Sequence, residues 1–269
     1  MYAGAITHKH DIQWLGAHQK FNRVAHRLLI EQYPDSFFPD RKGINKFEGT
    51  NGPDGIKAKS PSQNEPWHYY DPLDDNDTEL IELLEIHLES LTDALIAKNI
   101  EKAAFEASWL SHGITDGLTP AHHYPYEKQM QTITGLKKEE RTTKIKKIFG
   151  VKPDEAKRML FNKNWKLWGT KGLFTTHYAY EIGVATTVIP MKFSKLKITD
   201  DEIAQAQKLG LPEVFKRSAR QIAKYHMYER FYRSGWSVGM ARDTRQVLAP
   251  AITKTIAVAW AIALEDVRK

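Results

Sequence analysis

The chain has no cysteine in 269 residues. That excludes a disulfide framework and any thiolate metal site, so a metal here must be held by His, Asp and Glu. Strand signals are weak throughout, and the expected fold is therefore all-α. The first residues, Met-Tyr-Ala-Gly-Ala-Ile-Thr-His-Lys-His, lack a basic stretch followed by an apolar one. No signal peptide is expected from them, which makes the cytoplasm the default location. The most apolar stretch, Ala251 to Leu264, is too short to cross a bilayer and carries Lys254. Its better reading is a buried helix begun by Pro250. Neither an internal repeat nor a low-complexity tract is visible.

What is present is an ordinary globular composition, 41% hydrophobic and 27% charged, in a chain long enough for a well-buried core. We read residues 1–269 as one domain. Lysine and arginine number 39 against 33 acidic residues, a formal net charge of +6. This balance favours anionic partners such as phosphates, nucleic acid or an acidic membrane surface, without choosing among them. Eleven histidines make a cysteine-free metal site feasible.

Residues Gln13 to Gln32 have helical spacing, with Trp14, His18, Phe21, Ala25 and Leu28/Leu29 on one face. Tyr33 to Pro66 is rich in Pro, Gly, Asn and Asp and reads as a long loop. Asp77 or Thr78 can cap a helix running to Ala97. A second helix follows from Glu101 to about Thr115, and Gly117-Leu-Thr-Pro120 breaks it. Residues 124–171 differ in composition. Lys137, Lys138, Arg141, Lys144, Lys146 and Lys147 crowd one stretch, and Phe161, Trp165 and Trp168 follow, so this segment is expected to be an insertion. Gly172 to Val188, Thr199 to Leu209, Pro212 to Arg233 and Arg242 to Val267 complete a mainly helical second half.

Three local patterns carry chemistry. In His112-Gly-Ile-Thr-Asp116-Gly-Leu-Thr-Pro120-Ala-His122, the first two ligand types are four apart and share a helix face, and the proline turn can return His122 toward them. His177-Tyr-Ala-Tyr-Glu181 repeats the four-residue spacing. Asp54 is followed by His68 within Trp67-His68-Tyr69-Tyr70-Asp71-Pro72. Zinc takes neutral imidazole nitrogens and carboxylate oxygens in compact geometry. Each pattern alone is common on ordinary solvated helices; their occurrence together is the signal.

The order and spacing of these residues resemble the zinc-dependent phospholipases C of bacteria, which share a fold with the fungal-type single-strand-specific nucleases. The resemblance rests on His112, Asp116, Pro120 and His122, on His177 and Glu181, and on Asp54 and His68. The aromatic-Asp-Pro context of His68 is closer to the phospholipase branch. The family also has a first-helix histidine, for which His18 fits best, with His26 as the fallback. The resemblance implies two to three zinc ions. Asp54, His68, His112 and Asp116 would hold one. His122, His177 and Glu181 would hold a second with a position left open. His18, with Asp116 bridging, would help hold a third. In the family that third zinc is completed by an N-terminal Trp, whereas this chain begins with Met1. The substitutes considered are the Met1 amino group, His8 and His10. The stretch between His122 and His177 is also longer than the family usually shows, and its Lys-rich part reads as a solvated surface or as a lid or phosphate- or membrane-facing element.

The function implied is a zinc-dependent phosphoric ester hydrolase, phospholipase C-like, with Asp54 as ligand and general base. Its substrate would be a phosphodiester, either a phospholipid head group or single-stranded nucleic acid, with peripheral contact to an anionic membrane. The alternatives are a single-strand-type zinc nuclease and a non-catalytic, zinc-stabilised binding protein. Trp67, Tyr69, Tyr70 and Tyr124 are candidates for packing a substrate, or for the core. No metal role is expected of His87, His123 or His226.

Overall fold

A computed structural model describes residues 16–59, 68–150 and 157–269, and among them there is no β-strand. The chain is a single all-α domain. Its first helices are α1 (Ala17–Gln32), α2 (Arg41–Lys46), α3 (Pro53–Lys59), α4 (Glu79–Ile96) and α5 (Ile100–Leu118). The basic segment contributes α6 (Tyr126–Thr134), α7 (Lys144–Phe149) and α8 (Lys157–Trp168). The remainder is α9 (Leu173–Val188), α10 (Asp200–Leu209), α11 (Leu211–Ala223), α12 (Met227–Ser234), α13 (Val238–Asp243) and α14 (Ala249–Val267).

The last helix is the axis of the fold. Apart from Lys254, its residues Ile252 to Leu264 are apolar or small and are buried on every face. It packs against α1, α4, α5, α10 and α11. A helix apolar all round needs protein on all sides, and this one is enclosed as that requires. The Trp260 indole donates to the Ala107 carbonyl at 3.1 Å, giving the one polar atom of a large buried ring a partner. With α13 and a π-helical turn over Thr244–Leu248, the helical run from Val238 to Val267 spans 30 residues. That is longer than the sequence suggests and long enough to cross a bilayer, but 78% of its apolar window is buried inside the fold.

Local chemistry explains most helix ends. The Asn99 side chain accepts from Lys102 N at 3.1 Å and starts α5. Thr199 and Glu202 form a capping box at α10. The segment Tyr33 to Pro66, read from sequence as loop, instead contains α2, a 3-10 turn over Gly49–Asn51 and α3. Here Asp40 caps α2 by accepting from Gly43 N at 2.7 Å. Helices of six and seven residues are too short to show an apolar period, so caps and tertiary contacts decide them. The stretch Pro212 to Arg233 is two helices, α11 and α12, parted at His226, whose φ is 47°.

Residues 124–171 build a small apolar cluster of their own. Met130 and Leu167 join Leu173 and Phe174 at the start of α9. Arg141, expected on a solvated cationic stretch, is buried, pairs with Glu127 and donates to the Leu136 carbonyl. A buried guanidinium is tolerated because both a carboxylate and a carbonyl meet it.

Candidate metal centre

Seven pieces of chain bring polar side chains to one buried place beside the axis. Helix α1 supplies His18, the turn before Gly49 supplies Glu48, and α3 supplies Asp54. Residues 68–70 supply His68. Helix α5 supplies His112 and Asp116, which lie one turn apart near its C-terminal end. Thr119, extended at ψ 122°, precedes Pro120, which cannot continue the helix. The 3-10 turn Pro120–His122 that results swings His122 back toward α5. His122 and α9's His177 and Glu181 complete the set.

Asp116 sits at the centre. Its Oδ1 is 3.2 Å from His18 Nε2 and 3.8 Å from His122 Nε2. Its Oδ2 is 2.9 Å from His68 Nδ1 and 3.3 Å from His112 Nε2. Asp54 Oδ1 lies 3.8 Å from His112 Nε2. On the other side, Glu181 Oε1 is 2.9 Å from His177 Nε2 and 3.1 Å from His122 Nε2. His18 and His112 stack with centroids 4.3 Å apart. Three groups have donor atoms close enough to share an ion: Asp54, His68, His112 and Asp116; His18, Glu48 and His112; and His122, His177 and Glu181.

Ring orientation is set from behind. His122 Nδ1 donates to the His68 carbonyl at 3.0 Å, and Tyr70 N donates to the His122 carbonyl at 3.1 Å. The two segments are thereby laced together, and His122 Nε2 is left pointing inward as a lone pair. His112 Nδ1 donates to Glu48 Oε2 at 3.1 Å, which turns its Nε2 inward too.

The inward atoms are what fit a metal. His18 Nδ1 and Nε2, His68 Nε2, His112 Nε2 and Glu48 Oε1 are buried with no hydrogen-bond partner among the described residues. An orphaned buried polar atom costs about 1–3 kcal/mol, and several in one place call for a common partner. His18 Nε2 and Asp116 Oδ1 are within hydrogen-bonding distance yet not aligned as donor and acceptor. Such a pair could share a third partner placed between its two atoms.

Electrostatics favour neutral imidazoles at His68 and His122. Burial, and then the nearby Lys57, pull His68 down to about 3. Burial outweighs the Asp116 carboxylate and lowers His122 to about 4. Both rings are thus kept as neutral ligands at pH 7. Burial alone would lower His112 as well, but Glu48 and Asp116 lift it to about 10. Burial would raise Asp116, and the imidazoles around it, His122 first, hold it well below the usual carboxylate range. These buried groups could hold metal ions.

Of the ligand candidates picked from the sequence, His18, Asp54, His68, His112, Asp116, His122, His177 and Glu181 lie in this cluster. His26 does not; it packs on Phe38 at 6.4 Å. Met1, His8, His10, Trp14 and Trp67 lie outside the described residues. Sequence reasoning missed Glu48. The available signal was a carboxylate six residues ahead of Asp54 in the same Gly-rich stretch. Tyr69 is at the site wall, stacked on His122 at 5.2 Å and on Tyr126 at 4.7 Å. Tyr70 is core, packed on Phe215, and Tyr124 packs on Tyr228. His87 pairs with Glu106 at 2.7 Å, away from the cluster. No protein-family model, curated protein or solved structure matches this chain.

Proposed function

We propose that the chain is a zinc-dependent phosphodiester hydrolase of the phospholipase C-like type, with residues 124–171 as an insertion in that fold. The observation that carries the reading is the convergence of three His/carboxylate groups, two of which share His112 while the third adjoins them where His122 Nε2 lies 3.8 Å from Asp116 Oδ1. Phosphodiester hydrolysis uses adjacent cations in this way, one on the attacking side and one on the leaving side. The donor set is nitrogen and carboxylate oxygen without sulfur, which suits zinc.

Bound at these groups, zinc would supply fixed charge for the phosphoryl oxygens and lower the pKa of a water toward 7. The chain's own residues do the rest. Asp54, whose side chain is 24% exposed while Asp116 is 1% exposed, is the carboxylate open to substrate, and it takes the proton of the attacking water. His122, His177 and Glu181 are three donors rather than four, the arrangement that leaves room for water or substrate. The Tyr69 and Tyr126 rings wall this side and limit water entry. The Lys57 ammonium, 5.2 Å over the Tyr69 ring, adds positive charge where a phosphate would arrive.

The nearly parallel Tyr69 and Tyr126 rings, 9° apart, favour a second reading, a single-strand nuclease that stacks bases. One preparation separates these. Elemental analysis should find two to three zinc ions per chain, and a phosphorylcholine ester should be hydrolysed faster than single-stranded DNA. The reverse preference would assign the nuclease. Bound zinc with turnover of neither would leave a zinc-stabilised binding protein.

A further inference from the structure

Helix α8 is built inside out. Phe161, Trp165 and Trp168 recur at i, i+4 and i+7 and so share a face, and that face points outward. Phe161 is 66% exposed and Trp165 62%, while the only buried residue of the helix is Leu167. Phe161 and Trp165 lie ring to ring at 6.5 Å. Beside them, α7 exposes Ile145 and Phe149, again four apart. The Trp168 indole donates to the Ile148 carbonyl at 3.0 Å and joins the two helices. A soluble surface rarely exposes this many large apolar side chains on two adjoining helices without a partner.

The patch is set in positive charge. Residues 157–171 contain five basic residues and no acidic one, and residues 141–150 contain four basic and none acidic. Lys144, Arg158 and Lys166 are exposed around the aromatic face. It also borders the metal-binding cluster on two sides. Lys147 Nζ donates to the carbonyl of Lys57, on the helix that carries Asp54. Trp168 stacks on Tyr178 at 6.3 Å, and Tyr178 lies 6.0 Å from the His177 ring.

We infer that the outward face of α7 and α8 docks on an anionic phospholipid bilayer and seats the metal-binding cluster at the membrane surface. Exposed Trp and Phe among Lys and Arg is the composition of an interfacial helix, with rings sinking to the head-group boundary and cations meeting lipid phosphate. Each such cation adds to the attraction at an acidic leaflet. Nucleic acid would use the same charge and the same rings, but the exposed aliphatic Ile145 and Met159 suit an acyl boundary rather than a stacked base. The inference extends the lipid branch of the proposed function, yet its test needs neither metal nor turnover, so the two fail separately.

The test is co-sedimentation of the full chain with vesicles of phosphatidylcholine alone and of phosphatidylcholine with phosphatidylserine, with a single-stranded oligonucleotide as competitor. Binding is expected to the anionic vesicles and to weaken with added salt. Phe161→Ser with Trp165→Ser should reduce it by about tenfold or more, since two exposed rings lose their burial. Lys144→Gln with Lys166→Gln should weaken it several-fold on anionic vesicles only. Both pairs are exposed, so folding is not at issue. Equal binding by wild type and the aromatic variant, or no vesicle binding at all, would overturn the inference. Loss of oligonucleotide binding in the aromatic variant without any vesicle binding would reassign the face to nucleic acid, and self-association lost in the same variant would reassign it to a second copy of the chain.

Discussion

His112 Nδ1 donates to Glu48 Oε2 across 3.1 Å, and both side chains are almost completely buried. The bond fixes which ring nitrogen faces inward, because Nδ1 is occupied and Nε2 is left toward Asp54 and Asp116. Carboxylates placed behind metal-binding imidazoles typically tune affinity about 10–100-fold. Glu48→Ala should therefore weaken zinc binding within about that range, and Glu48→Gln, which can still accept a hydrogen bond, should lose less. Competition with a chromophoric chelator gives the affinities. Identical affinity in both variants and wild type would mean that Glu48 orients nothing.

Asp116 touches imidazoles of two different groups, whereas His177 belongs to one. Asp116→Ala should accordingly lower the zinc count by more than one per chain, and His177→Ala by one. Removing one partner of a buried ionic cluster also costs about 3–5 kcal/mol, so Asp116→Ala should unfold at clearly lower urea concentration. Equal stoichiometry in the two variants would show that the groups are independent.

Asp54 and the remaining carboxylates differ in exposure, and only chemistry should suffer when it is made neutral but kept similar in shape. Asp54→Asn is expected to retain most of its metal and lose about 100-fold or more in kcat, the usual weight of a general base. A variant with full metal and full rate would leave Asp54 without that role.

How far these residues could be read from the sequence follows from range. His112/Asp116 and His177/Glu181 are four apart on long helices, so their shared faces follow from helical period alone. His122 needed only the rule that a helix stops before Pro120. Glu48 obeyed no period. It enters through a turn whose position depends on α2 and α3, and those short helices are held by tertiary packing rather than by propensity. Arg141 was misread for a related reason, since composition shows a charge run but not the Glu127 carboxylate and Leu136 carbonyl that meet one of its members.

The pH dependence of the metal-free protein follows from three buried histidines. His68, His122 and His123 are held by burial at about 3, 4 and 4, below their ordinary 6.5. As pH falls through 6.5 the unfolded chain takes up protons that the folded chain refuses, so stability declines until the folded values are reached. His112, lifted to about 10, has the opposite sign, and its contribution is complete below 6.5. Asp116 and Glu181, held low, add to the loss at the acid end. His112 has no further gain to give below 6.5, so the lowered histidines leave a net loss on acidification. Urea unfolding of chelator-treated protein should show a lower midpoint at about pH 5 than at about pH 7. A midpoint that rises on acidification would mean that burial does not keep these histidines neutral in the folded chain.

Gly117 gives the last test, because it connects the core to the cluster. A Cβ there would lie 2.4 Å from Leu80 Cδ2 and 2.7 Å from Phe215 Cζ, closer than real carbon contacts allow. Phe215 is fully buried and packed on Tyr70, so it has little room to give. Gly117→Ala gains helix propensity in α5 but must push that helix end away from α4 and α11. Overpacking of this kind costs about 1–3 kcal/mol, more than the propensity returns. Asp116 is the adjacent residue, so the displacement should also loosen the metal site. We expect a lower unfolding midpoint and a measurably weaker zinc affinity together. A variant that is destabilised with unchanged affinity would show that the end of α5 is held by the cluster itself rather than by the core packing around Gly117.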